Sequence, residues 1–412
     1  MMVCRFLLAV TFLLSFLGGK SQEKTLDYFL QQGIKNSPLI RDLNGQIHSN
    51  RIDSLLIKAM NKPRVEFRGY AYYAPVVNNF GYSEVLTNIA NLTSVMSVSQ
   101  SLFNKKTVEA NLLKTGIQKE SLVNTLRLAE ISLKKAITFA YLDTWSTHTD
   151  ISVNLELLSF SREQGKILKS LTENGIYKQT DYLSFMIDIQ GQELQVRELD
   201  LQFHRQISDL YILCGIKDTG IFFPVKPELG IPFPSRQALS PLFMRFFIDS
   251  LRINSEKILI NRNYKPAVSW FSDAGLINND PRVIYQNFGL SLGLNFTLPI
   301  YDGNQRKLNL QKLKSEEDIR SAYSEAFKRE YNQHLQQLSD EMEETRALLP
   351  AARAQVRNAE LLVSQEKELV IKGSGSITDY LIAVKNYLSV RKSLNQYEVR
   401  MLQIQNEITY YQ

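Results

Sequence analysis

The chain has 412 residues, 44% of them hydrophobic, and its 48 basic residues against 42 acidic ones leave a formal charge of +6. A surplus that small and unclustered argues against a nucleic-acid partner. Only two cysteines are present, Cys4 and Cys214. If the first is removed with a leader, no intramolecular disulfide can form even in an oxidising compartment.

Met1 to Ser21 reads as a secretory signal: Arg5, an apolar run from Phe6 to Leu17, then small residues at Gly19 and Ser21 suited to cleavage before Gln22. The run is short for a membrane span, although a retained anchor is the alternative. Cys4 precedes the run rather than following it, so it does not mark a lipidation site. Without Arg5 and Lys20, 46 basic residues face 42 acidic ones. Cys214 is expected to be a small buried side chain.

The chain then repeats itself. Ser37-Pro38-Leu39 returns as Ser240-Pro241-Leu242 and Lys62-Pro63 as Lys265-Pro266, both 203 residues on. Gly175 and Thr180-Asp181-Tyr182-Leu183 return as Gly373 and Thr378-Asp379-Tyr380-Leu381, 198 residues on. The drop from 203 to 198 places an extra five or so residues in the first copy, between its two strands. Each copy therefore reads as helix, strand, variable loop, strand, very long helix, tight turn and returning helix. The expected division is a signal at 1–21, a first repeat at 22–213, a Pro-rich connector at 214–240 and a second repeat at 241–412.

In the first copy Val65, Phe67 and Ala71 alternate with Glu66, Arg68, Tyr70 and Tyr72, and Val268 and Trp270 stand at the matching places of the second. A second strand, weaker in pattern, carries Leu92, Met96, Val98 and Leu102. The clearest alternation runs from Phe288 to Ile300, where Phe288, Leu290, Leu292, Leu294, Phe296, Leu298 and Ile300 are separated by small or polar residues. Turn chemistry follows at Tyr301 to Asn304, and the strand feeds a helix from Arg306.

Lys105 to Asn174 and Arg306 to Lys372 read as helices of roughly seventy residues, on the order of 100 Å long at 1.5 Å per residue, with Pro350 expected to kink the second or mark a stutter. Helices this long bury their stripes against one another, as coiled-coil bundles do. The acidic run Asp340 to Glu344 reads as a solvated face, with a lumen lining as the alternative. The connector, with Pro224, Pro227, Pro232 and Pro234 among Phe222, Phe223 and Phe233, reads as packing around the bundle.

Two strands of about ten residues per copy are long enough to cross a bilayer when tilted. Four strands cannot close a barrel, and in lipid an open edge is excluded. Three chains would supply twelve strands.

These features resemble the TolC family of outer-membrane efflux and secretion channels. The resemblance rests on the duplicated order of elements, on Leu298-Pro299-Ile300-Tyr301-Asp302-Gly303 leading towards Arg306, and on a Gly followed six residues later by Asp in each copy. It implies a mainly α fold with a transmembrane β-barrel: a homotrimer in outer-membrane lipid with four strands per chain and a periplasmic helical tunnel. It implies a passive duct working with a periplasmic adaptor and an inner-membrane transporter, without cofactor, metal or catalysis. The turns around Gly175 and Gly373 would form the periplasmic tip, with Asp181 and Asp379 repeated there as acidic rings. The plainer account is that each Asp complements a helix dipole, with Thr180 and Thr378 as caps. Ile382 and Gly375 replace charged residues common in the family, so closure is expected to rest on packing.

The four histidines, His48, His148, His204 and His334, lack metal-ligand spacing and read as helix-surface residues, and no Gly-rich phosphate loop follows a strand. Met96 and Met401 are too scattered for a soft-metal relay. The rival from another class is a soluble periplasmic coiled-coil adaptor or scaffold, which would explain the helices but not the strands.

Overall fold

The computed structural model describes residues 24–75, 77–78, 80–82, 90–218, 220–229, 240–280 and 283–411. The expected signal at 1–21 and much of the connector lie outside them. In chain order the elements are α1 (Leu26–Asn36), α2 (Pro38–Ala59), β1 (Arg64–Tyr73), β2 (Ala90–Leu102), α3 (Lys105–Glu173), α4 (Gln179–Leu213), α5 (Pro241–Asn263), β3 (Ala267–Asn278), β4 (Phe288–Thr297), α6 (Gln305–Ile371) and α7 (Ile377–Tyr411).

The repeat is visible in the element borders. α2 and α5 begin at Pro38 and Pro241, and β1 and β3 at Arg64 and Ala267, each pair 203 residues apart. Proline suits the first helical turn because its missing N–H would have no partner there. The ends of α3 and α6, and both ends of α4 and α7, are 198 residues apart. α6 runs through Pro350 as one helix of 67 residues, so the missing N–H removes one hydrogen bond without ending it.

The junctions between strand and long helix differ. β2 passes into α3 through Phe103 and Asn104 alone, with Phe103 in the left-handed region at φ 55°. Between β4 and α6 stand residues 298–304, so the second strand does not feed its helix directly. Asp302 organises this link. It accepts a hydrogen bond from the Arg306 backbone N–H at 2.7 Å, and the Arg306 guanidinium donates to Asn261 Oδ1 at 2.8 Å. The Tyr264 hydroxyl and that backbone N–H hold the Asp302 carboxyl below its usual range.

The chain divides into two compact units, each drawing on both repeats. One takes its described residues from segments 1–40, 129–235 and 332–412. There Phe29, Tyr141, Tyr211 and Phe222 form an aromatic cluster with Ile137, Leu210 and Cys214. The Tyr141 hydroxyl donates to the Val225 carbonyl at 3.0 Å and accepts from its N–H at 3.1 Å, which fastens the described part of the connector to α3. Burial pushes the Cys214 thiol up to about 12, leaving it an inert apolar side chain.

In the same unit α3 and α7 meet along a polar ladder. Lys135 pairs with Glu407 at 2.8 Å, Gln403 donates to Asp143 at 3.1 Å, and Asn395 donates to Asp150 at 2.8 Å and to the Ser146 carbonyl at 3.0 Å. Burial raises both Asp143 and Asp150 above the ordinary aspartate range. A carboxyl that binds its proton more tightly when folded adds stability as pH falls through the raised value, until the unfolded chain is protonated too. Asp150→Asn keeps an acceptor for Asn395 without a desolvated charge. Its melting temperature is expected to exceed that of the parent at neutral pH, with the gap closing on mild acidification. Parallel thermal melts across that range check this.

The other unit takes its described residues from 41–128 and 236–331. It holds one antiparallel sheet of four strands in the order β1-β2-β3-β4, with β1 and β4 at its edges. Beside it α5 and α6 pack through Phe243, Phe246, Phe327 and Tyr331.

Candidate functional site

Period-two geometry sends alternate residues of each strand to opposite faces, and the register shows how the faces combine. Leu294 lies opposite Trp270, Leu290 opposite Ala274, Ala274 opposite Met96, and Met96 opposite Phe67. One face of the whole sheet is therefore apolar. Its β4 row is bare: Phe288, Leu290, Leu292, Leu294 and Phe296 are 64–79% exposed. Five large apolar side chains standing open on one strand are an interaction surface, not a soluble exterior.

The expected row extended to Leu298 and Ile300, but the strand stops at Thr297. Thr297 pairs with Ala267, the first residue of β3. Pro266 and Pro299 stand just beyond, and neither has an N–H for the ladder. Leu298 and Ile300 are exposed link residues.

The opposite face is polar. Arg68 on β1, Ser97 on β2 and Asp273 on β3 form a hydrogen-bonded chain across three strands. Tyr70 and Tyr72 stack along the same face at 6.2 Å. On β4 this face holds only Gly289, Ser291, Gly293, Asn295 and Thr297, and the Phe271 ring fills the place that a side chain at Gly293 would need.

The second candidate region is the pair of turns that join the long helices to the returning ones. Gly175 and Gly373 both have φ +76°, a left-handed conformation that favours glycine. Each follows its helix in a Schellman motif: Ile176 N–H bonds the Leu171 carbonyl and Gly175 N–H that of Thr172, and Ser374 and Gly373 do the same to Leu369 and Val370. The turns are thus structural devices first.

Asp181 and Asp379 are third residues of α4 and α7, Asp181 partly covered and Asp379 exposed. Their first-turn position suits the helix dipole. Thr180 and Thr378 are not the caps expected of them, because each is already the second helical residue. The cap of α7 is Ser376, whose hydroxyl accepts from the Thr378 N–H at 3.1 Å, while the N-cap of α4 is Lys178, without a side-chain bond. Ser376→Ala is accordingly expected to cost about 1 kcal/mol and Thr378→Val much less, measured by chemical denaturation of the assembled protein.

One tie between α4 and α7 and one between the turns join these regions. Lys385 pairs with Asp188 at 2.8 Å, and the Tyr177 hydroxyl donates to the Gly375 carbonyl at 3.2 Å. Gly375 is obligatory for a steric reason, since a Cβ there would stand 2.7 Å from that of Leu369. Tyr177 and Gly375 are themselves 198 residues apart, so each repeat contributes its equivalent position to one bond. Sequence reasoning saw Gly375 only as a missing charge.

Among the described residues no group of three or more His, Cys, Asp or Glu could hold a metal ion, and no helix is long and apolar enough to cross a membrane.

Sheet, paired long helices and duplicated turns define a fold, that of the TolC-like outer-membrane channel proteins. The model of the outer membrane efflux protein family matches residues 284–411. No curated protein matches the sequence, but solved structures match the fold. VceC of Vibrio cholerae superposes with a TM-score of 0.75 at 13% identity, covering 94% of this chain and 95% of that one. The CmeC outer membrane channel of Campylobacter jejuni gives 0.76 at 14% identity, over 94% and 85%. The open state of the Neisseria gonorrhoeae MtrE outer membrane channel gives 0.71 at 12% identity, over 94% and 88%. CmeC and MtrE are both described as outer membrane channels.

Proposed function

We propose that three copies of this chain form the outer-membrane exit duct of an efflux or type I secretion system, passing small molecules, metals or proteins delivered by an inner-membrane transporter through a periplasmic adaptor. The observation that carries this reading is a four-stranded sheet with two open edges and a bare apolar face, continuous in sequence with two helices of 69 and 67 residues. In lipid the edges must be paired. Three such sheets joined β4 to β1 give twelve strands, with the row from Phe288 to Phe296 towards acyl chains and the Arg68–Ser97–Asp273 face towards the lumen. The turns at Gly175 and Gly373 then form the tip that the adaptor engages, and Asp379 and Asp181 line its approach. Energy comes from the transporter, and the duct supplies only a path.

A soluble adaptor or scaffold would leave the apolar sheet face in water, which disfavours that alternative. The test is extraction of the native protein from cell envelopes. It is expected in outer-membrane fractions, detergent-dependent, migrating as a trimer before heating and as a monomer after, and forming conducting pores in planar bilayers. A detergent-independent soluble monomer without conductance would overturn the proposal.

A further inference from the structure

We propose that the four junctions between strands and helices in each chain form a belt that holds anionic phospholipid headgroups in the periplasm-facing leaflet of the outer membrane. This rests on the duct reading above and adds to it the lipid that the duct selects.

The junctions lie together. Arg64 pairs with Ser99, Leu102 with Val268, and Ala267 with Thr297, so the chain enters and leaves its helices at a single end of the sheet. Over residues 60–64, 103–107, 262–266 and 298–307 the sequence carries eight Lys or Arg and one acid, Asp302. The segments that connect the other ends of the strands, residues 74–89 and 279–287, carry no lysine and one arginine against two acids.

Some of these charges are already engaged. Asp302 accepts from the Arg306 backbone N–H, the Arg306 guanidinium donates to Asn261, and Arg64 pairs with Glu66 at 2.6 Å on the polar face. Arg262 is partly covered. Five lysines remain, Lys62, Lys105, Lys106, Lys265 and Lys307, all exposed and, among the described residues, without an ion-pair partner. Beyond Asp302 and Glu66, Glu109 is the one acid within five residues of any of them, and a single carboxylate leaves the group strongly positive.

The same junctions are bare of cover. Among the described residues, five large hydrophobic side chains are more than 80% exposed. Met60, Phe103, Ile300 and Tyr301 stand in the junctions, and Phe80 stands between β1 and β2 at the other end of the sheet. Phe103, 92% exposed, is held with its backbone in the left-handed region at φ 55°, a conformation uncommon for a bulky residue. Apolar side chains within a few residues of free ammonium groups suit the boundary of a bilayer, where the former enter the acyl edge and lysine stems carry their charge out to phosphates. Leu298 and Ile300 prolong the apolar row of β4 beyond its last residue. That continuity makes the occupant a lipid, and the sign of the charge makes it an anionic one.

The test reconstitutes the assembled protein in bilayers of equal parts phosphatidylglycerol and phosphatidylcholine, releases it with its tightly held lipids, and reads their ratio by mass spectrometry. One lysine at an anionic surface corresponds to about a fivefold preference, so the parent is expected to retain phosphatidylglycerol enriched at least about fivefold over the bilayer. A variant with Lys62→Gln, Lys105→Gln, Lys106→Gln, Lys265→Gln and Lys307→Gln should return to the bilayer ratio. A control that loses the same charge from exposed helix positions, Lys119→Gln, Lys166→Gln, Lys169→Gln, Lys178→Gln and Lys328→Gln, should keep the enrichment. If the first variant does not assemble, Lys105→Gln with Lys106→Gln replaces it, with an expected fall of about twofold or more. Unheated gels and conductance report the trimer on the same samples. A conducting trimer without enrichment in the parent, with undiminished enrichment in the junction variant, or with equal loss in the control overturns the belt and leaves the duct standing. Protein that stays outside bilayers as a soluble monomer overturns both readings.

Discussion

Leu294→Arg is expected to abolish accumulation in outer-membrane fractions. Leu294 is 73% exposed and sits mid-strand opposite Trp270, so in the proposed barrel an arginine there would meet the hydrocarbon core at a cost of about 2 to 4 kcal/mol, repeated in each copy. The control is Ser291→Arg, an exposed residue on the polar face of the same strand, which should assemble nearly as the parent does. Gly293 would be a poor control, since any side chain there displaces the Phe271 ring. Quantitative blotting of separated membranes reads the outcome. Equal loss in both variants, or equal tolerance, would show that the faces are assigned wrongly.

Asp379→Asn is expected to lower the cation preference of single channels and weaken block by multivalent cations. In the proposed trimer, three carboxylates around the axis would create their largest field where the path is narrowest, and Asp379 is exposed in the first turn of α7. Asp181→Asn should do less, because Asp181 is partly covered. Neither change alone should open the tip, since the Lys385–Asp188 pair and the Tyr177–Gly375 bond are left in place. Unchanged selectivity in the Asp379 variant would reduce this residue to a partner of its helix dipole.

Much of this architecture was legible because it is periodic. The strand alternation, the absence of breakers in the long helices and the two repeat offsets depend only on spacing, and the element borders follow them closely. What escaped depends on atoms that spacing does not locate. The strand's end at Thr297 is set by Pro266 across the ladder as much as by Pro299 in the same segment. The cap of α7 is Ser376, one residue before the helix, whereas in the first repeat that place is held by Lys178, so attention to the shared Thr-Asp-Tyr-Leu misplaced it. The Lys385–Asp188 tie needs the rotation of two helices about their axes, which no single helix reveals.

The unequal loops between paired strands have a practical consequence. β1 and β2 meet at the paired Tyr73 and Ala90, and β3 and β4 at the paired Leu276 and Phe288, all at one end of the sheet. In the proposed orientation that end faces the medium outside the cell, and the first loop already varies in length between repeats without disturbing either strand. In that orientation a peptide epitope inserted between β1 and β2 would label intact cells.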